Sequence, residues 1–128
     1  MAHFILEYSA NLDPGELDVD VLFEKLHVAA VDTSLFPLAG IRSRAHRCEH
    51  FRIADGNAKH GFVHLQVKLG AGRSEDEKRS AAEAFFKVLG AHLNPLYEQQ
   101  GLAISFEMTE LPSTLKYNKN NLRDYLPD

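Results

Sequence analysis

The chain is short of the residues that several ready explanations need. Cys48 is its only cysteine, and it has no tryptophan. A single thiol closes no intrachain disulfide and builds no cysteine-rich zinc site, so a reducing, cytoplasmic setting is the simplest fit. No apolar run approaches the ~20 residues that a membrane span needs. The opening segment His3-Phe4-Ile5-Leu6-Glu7 lacks the basic region and long apolar stretch of a signal peptide. Positive charge is scarce too: 14 Lys and Arg stand against 18 Asp and Glu, for a net charge of −4. That total argues against a general nucleic-acid or anionic-membrane binder. What remains is an ordinary globular composition, 45% apolar and 25% charged, which excludes a disordered or low-complexity chain. The length of 128 residues suits one domain, since domains commonly run ~100–150 residues.

Hydrophobic periodicity predicts strand, helix, strand, then strand, helix, strand. Residues 3–9 alternate, with Phe4, Leu6 and Tyr8 on one side. Asp13-Pro14-Gly15 signals a turn. A helix over about 18–31 places Leu22, Leu26, Ala29 and Ala30 at helical spacing, with Asp18 or Asp20 to cap it. A long polar strand is expected over 41–53, and Asp55-Gly56-Asn57 reads as a hairpin turn. Val63, Leu65, Val67 and Leu69 share one face of a strand over 62–69. Ser74 and Glu77 form a capping box at the head of a helix over 74–96, which Pro95 is expected to bend or end. Leu102, Ile104, Phe106 and Met108 alternate in a last strand over 102–108. The tail from Leu111 reads as a polar loop or arm.

The chain therefore reads as a single domain of two βαβ halves, about 1–58 and 59–128. A crossover helix implies parallel strands within each half. Side by side, the halves make an α+β fold with a four-stranded mixed sheet and both helices on one face. The other face is left bare, and an apolar bare face would drive oligomerisation.

The second strand carries the most unusual chemistry. Arg42, Arg44, His46, Cys48, His50 and Arg52 alternate onto one face. Three readings stand open: a solvated or interface strand of ion-paired arginines, a carboxylate-binding strand, and an RNA-binding strand. An Arg fork matches a carboxylate in two bonds. Few aromatics flank the strand for base stacking. His46-x-Cys48-x-His50, with His60 and His64, permits a metal site, but neighbouring arginines repel a cation, and no metal is expected. Gly70-Ala71-Gly72-Arg73-Ser74 opens a helix, where an N-terminus and Arg73 attract a small anion. It lacks the Lys-Ser/Thr ending of a nucleotide loop. Cys48 reads as a structural thiol. Glu7 and Glu107 read as partners for arginines.

Longer blocks go further. They are His3-Phe4-Ile5-Leu6-Glu7-Tyr8-Ser9, Phe36-Pro37-Leu38-Ala39-Gly40-Ile41-Arg42-Ser43-Arg44, Ala54-Asp55-Gly56, Phe62-Val63-His64, Gly70-Ala71-Gly72-Arg73-Ser74, Leu102-Ala103-Ile104-Ser105-Phe106-Glu107 and Leu115-Lys116-Tyr117-Asn118-Lys119-Asn120-Asn121. In this order they cover nearly the whole chain, and it resembles the 5-carboxymethyl-2-hydroxymuconate Δ-isomerases of the tautomerase superfamily. The resemblance implies a homotrimer with two βαβ units per chain. It implies a cytoplasmic enzyme of homoprotocatechuate (4-hydroxyphenylacetate) catabolism. The reaction implied is a 1,3-proton shift that turns a dienol, a small unsaturated dicarboxylate or keto acid, into its conjugated keto isomer, without cofactor or metal. In such enzymes the base is the amine of an N-terminal proline, freed when the initiator Met is removed.

Here that position is Ala2. With Met1 removed, Ala2 offers a primary α-amine with an ordinary pKa of ~7.7–8.0, which burial beside Arg42 and Arg73 lowers. With Met1 retained, the amine is displaced by one residue, and His3 or Glu7 would have to stand in as base. The expected catalytic residues are Ala2, Arg42 and Arg73, with Arg42, Arg44 and Arg73 holding substrate carboxylates. The alternative is a protein that keeps the scaffold, binds a small carboxylate and has lost the base.

Overall fold

The structure, a computed structural model, describes residues 1–127. Strand β1 (Ala2–Ser9) leads to a single helical turn, α1 (Pro14–Leu17), and then to helix α2 (Val19–Asp32). Strands β2 (Ile41–Cys48) and β3 (His60–Leu69) follow, then the long helix α3 (Glu75–Gln99) and strand β4 (Gly101–Glu110). The sheet order is β2-β1-β3-β4. β1 runs parallel to β2 and antiparallel to β3, and β3 runs parallel to β4. The sheet is mixed, and α2 and α3 pack on one of its faces.

Alternation builds that packed face. Phe4 and Leu6 of β1 and Val63, Leu65, Val67 and Leu69 of β3 are fully buried, against Leu22 and Leu26 of α2 and Phe85, Leu89 and Leu93 of α3. Burying a side chain of this size contributes about 1.5–3 kcal/mol. Phe4 meets Phe85 edge-on at 5.0 Å between ring centres, and Phe36 lies 5.9 Å from Phe85. This aromatic row runs from the middle of the core to the edge of the site described below.

Local signals explain most boundaries. The Asp13 side chain accepts from Glu16 N at 2.9 Å and Pro14 opens α1, so the expected turn is in fact a capped helical turn. Asp18, at φ 38°, both ends α1 and caps α2. Ser74 and Glu77 form the expected capping box.

Three expectations change. Pro95 does not end α3, which continues to Gln99. The lost amide and the ring clash cost about 3 kcal/mol, offset here by burial of Leu93 and Leu96 on either side. β2 ends at Cys48, five residues before the expected end. His50 and Arg52 therefore leave the alternation, and the reach of one strand face stops at Cys48. Asp55-Gly56-Asn57 does form a turn, with Gly56 at φ 84° and the Asp55 carboxylate accepting from Asn57 N at 3.0 Å. It is not a hairpin, because β1 lies between β2 and β3.

The uncovered sheet face is open as expected, but it is polar. It presents His3, Arg42, Arg44, His64, Gln66, Lys68 and Glu107, with Ile5 and Phe62 as its larger apolar residues. On it the His64 ring joins the Ser105 hydroxyl at 2.6 Å and the Glu107 carboxylate at 3.2 Å. Glu107 is thus paired with a histidine rather than an arginine.

Candidate active site

Strand directions decide where the chemistry gathers. Because β1 and β2 run one way and β3 and β4 the other, the starts of β1 and β2 and the ends of β3 and β4 meet at one end of the sheet. Met1, Arg42, Gly70 and the segment after Glu110 converge there. The carbonyl of Met1 accepts from Gly70 N at 3.2 Å. A Cβ placed on Gly40 would lie 3.4 Å from Met1 Cα, so the 3₁₀ turn Leu38–Gly40 walls the terminus closely. Ala2 is fully buried.

The N-terminal amine is held below its ordinary pKa of 8.0. Burial is the main cause, and the positive charges of Arg73, Lys116 and Arg42 add to it. A neutral amine is a base, and both causes favour the neutral form.

The arginines differ in how free they are. Arg73 donates through Nη1 to the Gly70 carbonyl at 2.9 Å and through Nη2 to the Leu35 carbonyl at 2.7 Å. Its guanidinium stacks 4.4 Å from the centre of the Phe36 ring. Its Nε, among the described residues, is the buried side-chain nitrogen with no partner. Such an orphan donor costs about 1–3 kcal/mol. Arg44 reaches His3 Nδ1 at 3.2 Å, and the His3 pKa is lowered, by burial first and then by Arg42, Arg44 and Lys68. His3 is therefore neutral at neutral pH. Arg42 is half-buried beside the start of β1 and, among the described residues, no carboxylate pairs with it.

The α3 N-terminus holds less anion-binding capacity than its loop suggests. The capping box satisfies the Ser74 and Glu77 amides, and Glu75 and Asp76 add negative charge to the first turn. Arg73 itself points back to the strand ends.

Lys116 belongs to this cluster, and the sequence pattern did not single it out. It lies on the irregular segment after β4, with no periodicity to reveal its direction. A cleft of about 420 Å³ lies between the Pro37–Gly40 turn and Asn118, Asn120, Asn121, Arg123 and Asp124, and neither Met1 nor Arg42, Arg73 or Lys116 lines it. A second cleft of about 240 Å³ lies at the opposite end of the sheet, around Phe51, Arg52 and His60. Among the described residues, no three or more His, Cys, Asp or Glu side chains gather as metal ligands. Among the described residues, no helix is long and apolar enough to cross a membrane.

Two βαβ units on one mixed sheet, with the chain's own amine among cations at the sheet's end, define an α+β protein of the fold seen in 4-OT. Solved structures agree on the fold. A fused 4-OT symmetric trimer superimposes with TM-score 0.63 at 19% identity, over 88% of this chain and 87% of that one. The 5-carboxymethyl-2-hydroxymuconate isomerase family profile matches residues 2–126, and the chain belongs to that family. A 5-carboxymethyl-2-hydroxymuconate Delta-isomerase of Escherichia coli is 42% identical over 122 residues, covering 95% of this chain and 96% of that one. A 5-carboxymethyl-2-hydroxymuconate isomerase from Deinococcus radiodurans R1 superimposes with TM-score 0.90 at 35% identity, over 98% and 95% of the two chains. The protein is an isomerase of this family.

Proposed function

We propose that the protein catalyses the isomerisation named in its relatives, acting on 5-carboxymethyl-2-hydroxymuconate, with the α-amine of Ala2 as the proton carrier. The observation that carries this reading is the amine of Met1, one residue before Ala2, whose pKa is lowered by burial and then by Arg73, Lys116 and Arg42. The relatives' substrate is a dienol built on a six-carbon diacid with a carboxymethyl arm. It has three carboxylates, one more than the dicarboxylate expected from the sequence. An acidic chain that gathers cations at one end of its sheet is suited to such a ligand.

The reaction needs a proton moved, not electrons. The enol hydroxyl gives its proton to the neutral amine and its oxygen becomes a carbonyl. The double bonds shift, and the carbon at the far end of the conjugated system takes a proton from the ammonium so formed, a 1,5-shift where the resemblance implied a 1,3-shift, because only protonation at the far carbon leaves the ketone conjugated. Atoms and electrons balance with no cofactor. The dienolate formed on the way carries negative charge on its oxygen, and fixed cations lower its energy. Arg42 is the free guanidinium for that oxygen or for the adjacent carboxylate, which its fork matches. Arg73 contributes its charge and the orphan Nε donor. Arg44 stands one pleat further along the same face and can meet an outer carboxylate.

In this reading the protein is cytoplasmic, consistent with the free thiol of Cys48, and it works as a homotrimer. Support comes from the edge strands β2 and β4, each with one unpaired side, and from the exposed Phe51, Leu115, Tyr117 and Tyr125. The polar open face is not the driving force. Light scattering at working concentration should give three times the chain mass, and a monomer would refute the assembly.

Ketonisation of 5-carboxymethyl-2-hydroxymuconate followed in the ultraviolet tests the activity, on protein whose N-terminus is shown by mass to be Ala2. A rate well above that in buffer is expected. A processed sample no faster than buffer would leave only the carboxylate-binding alternative.

A further inference from the structure

The segment after β4 crosses the same end of the sheet as the N-terminus. It is tethered at its start, where Leu111 N donates to the Leu69 carbonyl at 2.7 Å, and again where the Asn120 amide donates to the Ala39 carbonyl at 2.8 Å. Between the two tethers Leu115 adopts φ 56°, a left-handed conformation rare for a branched residue. Leu115 and Tyr117 are 88% and 93% exposed, so the neighbours of Lys116 turn outward. Lys116 is exposed too, but its tip bends back to the sheet end: its Nζ lies 3.6 Å from where a Cβ on Gly70 would stand. Gly70 is the residue whose amide holds Met1 and whose carbonyl holds Arg73. The ammonium thus sits over the peptide that joins the terminus to the arginine.

Among the described residues, no carboxylate pairs with Lys116. Gathering cations without a counter-charge is unfavourable, and ordering a lysine side chain adds an entropy cost. An anionic ligand offsets both. The ammonium lies over Gly70, close enough to the Met1 amine to lower its pKa yet on a separate segment, and suits a carboxylate other than the one beside the enol.

We infer that Lys116 binds a substrate carboxylate other than the one beside the enol and makes the site selective for polyanionic over monoanionic unsaturated acids. This rests on the proposed isomerase site and names the residue that sets its charge preference. The selectivity is a difference of affinities, so it is tested by a pair of ligands that differ in one group. Muconate and sorbate are such a pair: both are linear six-carbon dienes, and muconate has a second carboxylate where sorbate has a methyl.

Titration calorimetry of both acids against wild type, Lys116→Ala and Lys116→Arg provides the test. Wild type should bind muconate at least about tenfold tighter than sorbate, consistent with one charge-assisted hydrogen bond. Lys116→Ala should lose most of that preference while sorbate affinity stays within about twofold. Lys116→Arg should restore it. A wild type without preference, or an alanine variant that keeps it or weakens both acids equally, overturns the inference. Turnover of the dienol is read separately on the same wild-type sample. Selective muconate binding that Lys116→Ala loses, without turnover in wild type, would refute the isomerase reading and uphold Lys116 as the charge-selecting residue. Turnover with an unchanged Lys116→Ala preference would do the reverse.

Discussion

Replacing Arg73 by alanine should cost stability as well as activity, and the size of the first effect can be worked from the structure. Two terminal nitrogens donate to the Gly70 and Leu35 carbonyls at 2.9 and 2.7 Å, and the guanidinium stacks on Phe36. Hydrogen bonds to charged groups contribute about 1.5–3 kcal/mol each, and an accessible cation–π contact about 0.5–1. Arg73 is half-buried, so water reaches part of what is vacated, and the sum is discounted to about 2–4 kcal/mol. With a urea slope of about 1–3 kcal/mol per molar, the midpoint should fall by about 1–2 M. The comparison must be made at one protein concentration, because assembly shifts apparent stability. Arg73→Lys keeps the charge but not the fork, and should recover less than half of the loss. The alanine variant should also lower kcat/KM by about 10- to 150-fold, the equivalent of one charged hydrogen bond. A midpoint within about 0.2 M of wild type would refute the claim that this guanidinium ties the loop before α3 to the turn after α2.

Other perturbations separate the remaining parts of the account. Ser74→Ala removes one half of the capping box and should destabilise the fold by about 1 kcal/mol in urea, with kcat/KM unchanged. Gly61→Ala would place a Cβ 2.6 Å from the tip of buried Leu12 and 3.3 Å from Ser9 Oγ, so a loss of about 1–3 kcal/mol from overpacking is expected; a neutral result would mean that Leu12 moves aside freely. The His27 pKa is lowered by burial and that of His3 by burial and then Arg42, both from an ordinary 6.5. Their folded forms are neutral while the unfolded chain protonates near 6.5, so stability is full above that pH and declines as pH falls through the lower folded values. Urea midpoints that stay flat from pH 7.5 to 5.5 would contradict the burial of these rings.

The periodic parts of the fold were legible in the sequence. Alternation in β1, β3 and β4 and the Ser74/Glu77 box placed the strands and the start of α3 within a residue or two, because each is a local signal. What failed was long-range. Nothing near Pro95 shows that Leu93 and Leu96 are buried deeply enough to carry the helix through it. Nothing in Asp55-Gly56-Asn57 shows that β1 comes between the strands on either side. The bare face was expected to be apolar, yet the residues alternating with the core are mostly charged or polar, and the case for assembly moves to the sheet edges. At the site, the resemblance named Ala2, Arg42 and Arg73, and the alternation of β2 added Arg44. Neither revealed that Arg73 is largely committed to two carbonyls, or that Lys116 folds back over Gly70. The Arg73–Leu35 and Lys116–Gly70 contacts join residues more than thirty apart.

The central claim is that the terminal amine is a base at neutral pH because the fold buries it among cations. The most direct measurement is a ¹⁵N NMR titration of the α-amine in protein with Ala2 at its terminus, alongside the acid limb of kcat/KM. The account predicts a pKa below the ordinary 8.0, matching that limb, with both moving upward in Lys116→Ala as a nearby positive charge is removed. An amine that titrates at or above 8.0, or a kinetic limb that does not follow it, would contradict the account.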